Sequence, residues 1–430
     1  MKIRSLLLSL FFLLLMTISA SAQRTIIHAG TLIDGKSDRA MTNMSIVVEE
    51  NRIVAMSEGF MTGDDGDRII DLRDKTVMPG LIDLHVHLEG ETSPTRYLDA
   101  FTLNPADIAF RSSSYAKTTL MAGFTTVRDV GGSGVNIALR DAINQGYTVG
   151  PRVYTVGNSL ATTGGHADPT NGYRFDLMGA PGPTEGVING VADAREAVRQ
   201  RYKNGADHIK ITATGGVLSV AKSGDAPQFF MDELDAIVQT AKEYGMHVAA
   251  HAHGAEGMKR AVEAGVLTIE HGTKMTTEVM DLMIEKGTYY VPTITAGKWV
   301  AEKAQIDGYY PPLVVPKALE IGPMIQNTFK QAYERGVKIA FGTDAAVFPH
   351  GQNGKEFAYM AEAGMPVMET LKSATLTAAT VLGIQDKLGT IEAGKLADIV
   401  ATDGNPLEDV SVMESVSFVM KDGVVYKLER

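Results

Sequence analysis

From residue 80 onward, short β-prone runs alternate with amphipathic segments, and no other feature of the chain limits its possible folds as sharply. The runs are Leu81–His87, Thr125–Asp129, Arg152–Val156, His208–Thr212, His247–His251, Thr268–His271, Tyr289–Thr293 and Lys338–Thr343. Helical periodicity fills the intervals, as in Met231–Tyr244, Glu256–Ala264 and Glu278–Lys286. Eight strands alternating with helices over about 260–300 residues predict an α/β fold, a (β/α)8 TIM barrel. An open doubly wound sheet is the alternative. Polar residues at the C-terminal ends of many different strands weigh against it, because those ends converge on one site only in a closed barrel.

The flanks have a different character. Thr25–His28, Ser45–Val48, Arg52–Ala55 and Thr76–Met78 are short β-prone runs parted by Gly, Asp and Asn turns. Ala397–Ala401, Val416–Met420 and Gly423–Tyr426 read as strands at the other end, with Lys421-Asp422-Gly423 as a hairpin turn. The simplest packing is one small β-sandwich built from both termini. The expected division is a signal peptide at 1–22, sandwich at 23–79 and 385–430, and barrel at 80–384. Lys2 and Arg4 precede an apolar stretch from Leu6 to Ile18, then Ala20-Ser21-Ala22. That pattern predicts export, periplasmic or secreted, with cleavage near Ala22 and no stable membrane insertion. Loss of Lys2 and Arg4 takes the net charge from −11 to −13, which argues against nucleic acid as a partner. A homo-oligomer is expected. Two connections, Gly157–Gly190 and Ala296 to about Met324, are long enough to shape a substrate pocket.

The chain has no Cys, so any metal must be held by His, carboxylate or modified side chains. In Pro79-Gly80-Leu81-Ile82-Asp83-Leu84-His85-Val86-His87 a turn dipeptide leads into a short strand. Residues two apart in a strand face one side, so His85 and His87 project together, about 7 Å apart along the strand. Other strand ends carry Lys210, then His251 with His253 just beyond, then His271 and Asp344. A lysine inside an apolar strand is costly to bury as an ammonium. Either Lys210 pairs with an acid within the barrel, or its lowered pKa lets it react with carbon dioxide to give an anionic carbamate able to bridge two metal ions. Alone, each histidine reads as readily as a buried structural residue. Converging at barrel strand ends, the set reads as a metal site.

These residues resemble the amidohydrolase superfamily of metal-dependent (β/α)8 hydrolases. The likeness rests on Pro79–His87, Lys210, His251, His271 and Gly342-Thr343-Asp344, and it extends over 24–430, including Gly394–Val400. Thr163-Gly164-Gly165-His166, Thr214–Ser219 and His251-Ala252-His253-Gly254 are similar to the branch of imidazolonepropionase-like and prolidase-like dipeptidases and ochratoxinase-type amide hydrolases. The resemblance implies one metal on His85, His87 and Asp344, a second on His251 and His271, and carboxylated Lys210 between them. The implied cofactors are two divalent cations, zinc first, sharing a hydroxide that attacks an amide carbonyl. Asp344 would accept the proton and pass it to the leaving amine. His253 is either a donor to the carbonyl oxygen or substrate, or a structural residue. His166 is a substrate-contact candidate through the resemblance, and His350 and Glu356 are candidates for holding a polar substrate end. His28 and His247 read as structural and His208 as barrel packing.

The expected function is an exported binuclear amidohydrolase cleaving dipeptides or N-acyl amino acids. The alternative substrates are a non-peptide amide or ester such as ochratoxin, a carbamate or a lactone. An exported binding protein without turnover is the remaining class, and loss of a ligand would mark it; no ligand of the set is missing.

Overall fold

The computed structural model describes residues 24–429; the leader expected at 1–22 lies outside the described residues. Strands β1 (Thr25–Leu32), β2 (Met41–Glu49), β3 (Arg52–Glu58) and β4 (Arg68–Pro79) come from the N-terminal flank. The next seven strands, β5 to β11, belong to the barrel. From the C-terminal flank come β12 (Ile399–Thr402), β13 (Val416–Lys421) and β14 (Val424–Leu428). The two flanks form one seven-stranded sheet in the order β14-β13-β12-β4-β1-β2-β3. The expected sandwich is thus a single sheet that curls. Ile53 N donates to Lys395 O at 2.9 Å and Ala397 N to Asn51 O at 2.8 Å, which brings the β2–β3 hairpin round to the segment before β12. Ile27, Leu32, Ile46, Ile53, Leu72 and Phe418 fill the curl. The first half of β4 escapes the sequence reading because it is outwardly charged: Arg68, Asp71 and Arg73 face out while Ile70 and Leu72 face in.

Gly80 carries β4 into the barrel. Its N–H donates to Asp398 O at 2.8 Å. A Cβ there would lie 2.3 Å from Thr125 Oγ1, so only glycine lets sheet and barrel approach this closely. The barrel strands are β5 (Leu81–Val86), β6 (Phe124–Asp129), β7 (Arg152–Thr155), β8 (Ile209–Thr212), β9 (Val248–Ala252), β10 (Thr268–His271) and β11 (Tyr289–Val291). β5-β6-β7 and β8-β9-β10-β11 pair in parallel. Isolated bonds close the ring. Leu160 N donates to Lys210 O at 2.8 Å, joining an extension of β7 to β8. Residues 338–345 form the eighth stave: Tyr290 N donates to Lys338 O at 2.8 Å on one side, and Asp344 N to His85 O at 2.7 Å on the other. Strands β5, β6, β8, β9 and β10 are buried along their whole length, as parallel strands covered on both faces are.

Helices fill the outer layer by their apolar stripes. In Met231–Glu243, Leu234, Ile237 and Ala241 are buried, and Glu233 accepts from Phe230 N at 2.9 Å to close the first turn. The segment Ala296–Met324, expected as a loop, is instead mostly helical, over Ile294–Lys303 and Val315–Ile321. Its glycines mark helix contact: a Cβ on Gly322 would lie 2.5 Å from Gly297 O. Among the described residues no helix is long and apolar enough to cross a membrane.

Candidate metal centre

The C-terminal ends of the barrel strands open into a cavity of about 480 Å³ lined by His85, His87, His166, Lys210, His251, His253, His271 and Asp344. Strand alternation alone aims His85, His87, Lys210 and His251 inward. His271 and Asp344 need more. Both have left-handed backbones, with φ of 69° and 62°, and so does Thr293 at 54°. Such conformations cost of order 1–3 kcal/mol each for ordinary residues, and here all three sit at strand ends around one cavity. Gly342 permits the turn before Asp344: a Cβ there would lie 2.4 Å from Val291 Cγ1 and 3.1 Å from His85 Cβ.

His85, His87, His251, His253 and His271 each have one ring nitrogen engaged and one left free. His87 Nδ1 donates to Gly131 O at 2.7 Å, and His251 Nε2 donates to Gly215 O at 3.1 Å. A carbonyl accepts only, so these contacts fix the tautomers and leave His87 Nε2 and His251 Nδ1 with lone pairs. His85 Nδ1 meets Glu270 Oε2 at 2.7 Å, His271 Nδ1 meets Thr293 Oγ1 at 2.7 Å, and His253 Nδ1 meets Thr273 Oγ1 at 2.9 Å. Asp344 Oδ1 lies 3.6 Å from His85 Nε2 and 3.5 Å from His87 Nε2. Two ligands on one ion at about 2.0–2.1 Å stand roughly 3–3.6 Å apart, and Asp344 keeps about that spacing to each of the two imidazoles. His85, His271 and Asp344 also offer ligand atoms within 4.8 Å of one another. That group takes one histidine from the second expected ligand set and leaves out His87.

Electrostatics favour the ligand form of the imidazoles. Burial, then the charge of Lys210, holds His85 well below the usual imidazole range and His87 at about 4. Burial likewise keeps His166, His251 and His271 neutral, and puts His253 at about 3. Burial lowers Lys210 to about 8 and raises Asp344. The donor set, four neutral imidazoles, one carboxylate and a buried amine, is the chemistry that hard-to-borderline divalent cations such as zinc accept.

Residues 76–426 match the amidohydrolase family. The chain belongs to the amidohydrolase family. It is 32% identical over 445 residues to ochratoxinase of Aspergillus niger, covering 94% of this chain and 87% of that protein. Among solved structures it is similar to a Xaa-Pro dipeptidase with methionine bound in its active site, with TM-score 0.92 and 57% identity over 94% of this chain and 100% of that one. A prolidase complexed with N-methylphosphonate-L-proline gives TM-score 0.85 at 32% identity, covering 95% and 100%. This amidohydrolase is a hydrolase with a TIM barrel and an attached sheet.

Two expected substrate contacts fall elsewhere. His350 does not line the cavity. Its Nε2 bonds Gly90 O at 2.9 Å, its ring stacks on Tyr115 at 4.8 Å, and its own N–H donates to Glu91, so it props the turn after β5. Glu356 is fully buried and accepts from Ile294 N, Thr295 N and Thr295 Oγ1 at 2.6–2.8 Å. A position soon after a strand end does not fix where a loop side chain points. His166 does line the cavity, stacked on His251 at 4.3 Å. His208 and His247 stack on each other at 5.0 Å, and His28 bonds Met61 O at 2.9 Å in the flanking sheet.

The sequence reading also passed over the supporting residues. Glu270 is buried between His85 and Arg128, whose Nη2 lies 2.7 Å from Oε1. Asp83 accepts from His85 N at 3.0 Å, Thr343 N at 3.1 Å, Thr343 Oγ1 at 2.6 Å and Asn353 Nδ2 at 2.8 Å, tying the first stave to the eighth. The burial argument that singled out Lys210 applies equally to these charges in apolar strands.

Proposed function

We propose that this amidohydrolase is an exported binuclear enzyme that cleaves the amide bond of dipeptides or N-acyl amino acids. The observation that carries the reading is the meeting of free ligand atoms from His85, His87, His251, His271 and Asp344 around Lys210 in one cavity. The dipeptidase and prolidase likenesses support the substrate class. His85, His87 and Asp344 would hold one divalent cation and His251 and His271 the other, with carboxylated Lys210 between. When bound, zinc ions would acidify a water and polarise the amide carbonyl. Asp344, raised toward neutrality by burial, accepts the proton of that water and delivers it to the leaving nitrogen. His253, neutral and held through Nδ1 by Thr273, turns Nε2 toward the carbonyl oxygen. His166 contacts the substrate from the loop after β7.

The test is elemental analysis and assay on one preparation. About two divalent metals per chain are expected, with turnover on a panel of Xaa-Pro, Xaa-Arg and N-acyl-phenylalanine substrates. Lys210→Ala should lose metal and activity together, and short carboxylic acids with zinc should restore part of both. One metal per chain after zinc loading, or full activity in Lys210→Ala, overturns the binuclear reading. A second reading, a non-peptide amide substrate, is favoured by the ochratoxinase likeness. Turnover of ochratoxin with none of the peptides would select it.

A further inference from the structure

Away from the ligand cluster the cavity wall is divided. One part is apolar, formed by Val217, Leu218, Val300, Ile321, Ile325 and Val347. Another part is charged and comes from the turn after β5, with Glu89, Glu91, Arg96 and Asp99. The three acids there are already engaged. Glu89 accepts from Ser133 N at 2.6 Å and Asn136 N at 2.7 Å. Glu91 accepts from His350 N at 2.9 Å, and Asp99 faces Arg111 Nη1 at 3.5 Å. Arg96 is different. It has no ion-pair partner among the described residues, and its guanidinium rests 5.9 Å from the ring of its neighbour Tyr97. It lines the same cavity as Asp344 and His87.

We infer that Arg96 holds the α-carboxylate of the residue whose amine is released, so that a free C-terminal carboxylate is part of what the site selects. The inference rests on the amide-hydrolase reading given above. The leaving nitrogen must come within hydrogen-bond reach of Asp344 to take its proton. In an amino acid the carboxylate carbon is two bonds from that nitrogen, so it must lie within a few ångströms of Asp344 as well. Arg96 supplies a cation in the wall of that cavity, and a guanidinium matches a carboxylate with two parallel hydrogen bonds. The apolar part of the wall then takes the side chain of the acyl half. Arg96 is exposed, so changing it leaves the core intact.

The experiment uses the zinc-loaded full chain with Met-Pro and its C-terminal amide, Met-Pro-NH2. The wild type should prefer the acid. In Arg96→Met the ratio of kcat/KM for acid over amide should fall at least about tenfold, chiefly through KM, as loss of a charge-assisted contact requires. Arg96→Lys should keep part of the preference. An unchanged ratio in Arg96→Met, even with both rates lowered, overturns the inference, and so does a wild type with no preference for the acid. Calorimetric titration of the same pair reads the ratio in Kd without turnover. Absence of hydrolysis with a carboxylate preference that Arg96→Met abolishes would therefore remove the amide-hydrolase reading and leave the Arg96 contact standing.

Discussion

Glu270 shows how much of a metal site lies outside its ligands. It binds His85 through Nδ1, and Arg128 neutralises it in turn. A carboxylate can only accept, so it keeps the proton of His85 on Nδ1 and the lone pair on Nε2. Glu270→Gln places an amide that can donate where a donor already stands, and it frees the imidazole to change tautomer. Metal affinity or activity should fall about 10–100-fold, measured by metal competition against a chelator; unchanged affinity would mean that His85 needs no such support. Asp344 invites a sharper comparison. Asp344→Asn should keep most of its metal after zinc loading while the rate falls at least about a hundredfold, because an amide cannot shuttle the proton. If rate and metal fall in strict proportion, Asp344 is a ligand and nothing more. The ligand candidates were legible because a titratable residue inside an apolar run stands out. His350 and Glu356 were misread because both lie beyond the last stave, where no periodicity tells a reader which way a side chain turns.

Among the elements, the regular staves were the legible ones. Strands β5, β9 and β10 are buried on both faces and each carries a histidine at or next to its C-terminal end. The eighth stave was expected at Lys338–Thr343 and in fact pairs only at isolated points between 338 and 345. Its irregularity comes from Gly342 and the left-handed Asp344, and the Asp83 clamp holds it against β5. Helix Ile294–Lys303 was missed because its first turn is closed from a distance. Glu356 accepts from its first two N–H groups, a carboxyl group meeting the otherwise unpaired donors of the first turn. Burial outweighs those bonds and pushes Glu356 up to about 8. The native chain therefore binds this proton more tightly than the unfolded chain, whose glutamate titrates near 4.3. The stability it contributes is fully present below that value and is lost as pH rises toward and through about 8. In the metal-free protein, denaturant unfolding from pH 5 to 9 should show the wild type losing stability relative to Glu356→Gln as pH increases. A constant difference across that range would mean that Glu356 is ionised throughout.

For the molecule as a whole, the cavity gathers polar groups that fold only at a cost. Buried imidazoles, an amine and a carboxylate must be desolvated together. Cations that bind the folded chain alone repay that cost by mass action, about 2.7 kcal/mol per site at a hundredfold excess over Kd. Chelation should therefore lower Tm in a scanning calorimeter and zinc should restore it. Equal Tm values with and without metal would argue that the ligand cluster is stable on its own. The seven-stranded sheet adds a constraint of another kind. β4 is hydrogen-bonded to β1 on one side and to β12 on the other, so its second edge stays open until residues beyond 399 have been made. A polypeptide emerging from its N-terminus would hold β1 to β4 with an unpaired edge while the whole barrel is being synthesised, and an unpaired edge is a template for the wrong neighbour. Birth order thus works against this fold, and a chain kept unfolded until its last strand is available would avoid the hazard.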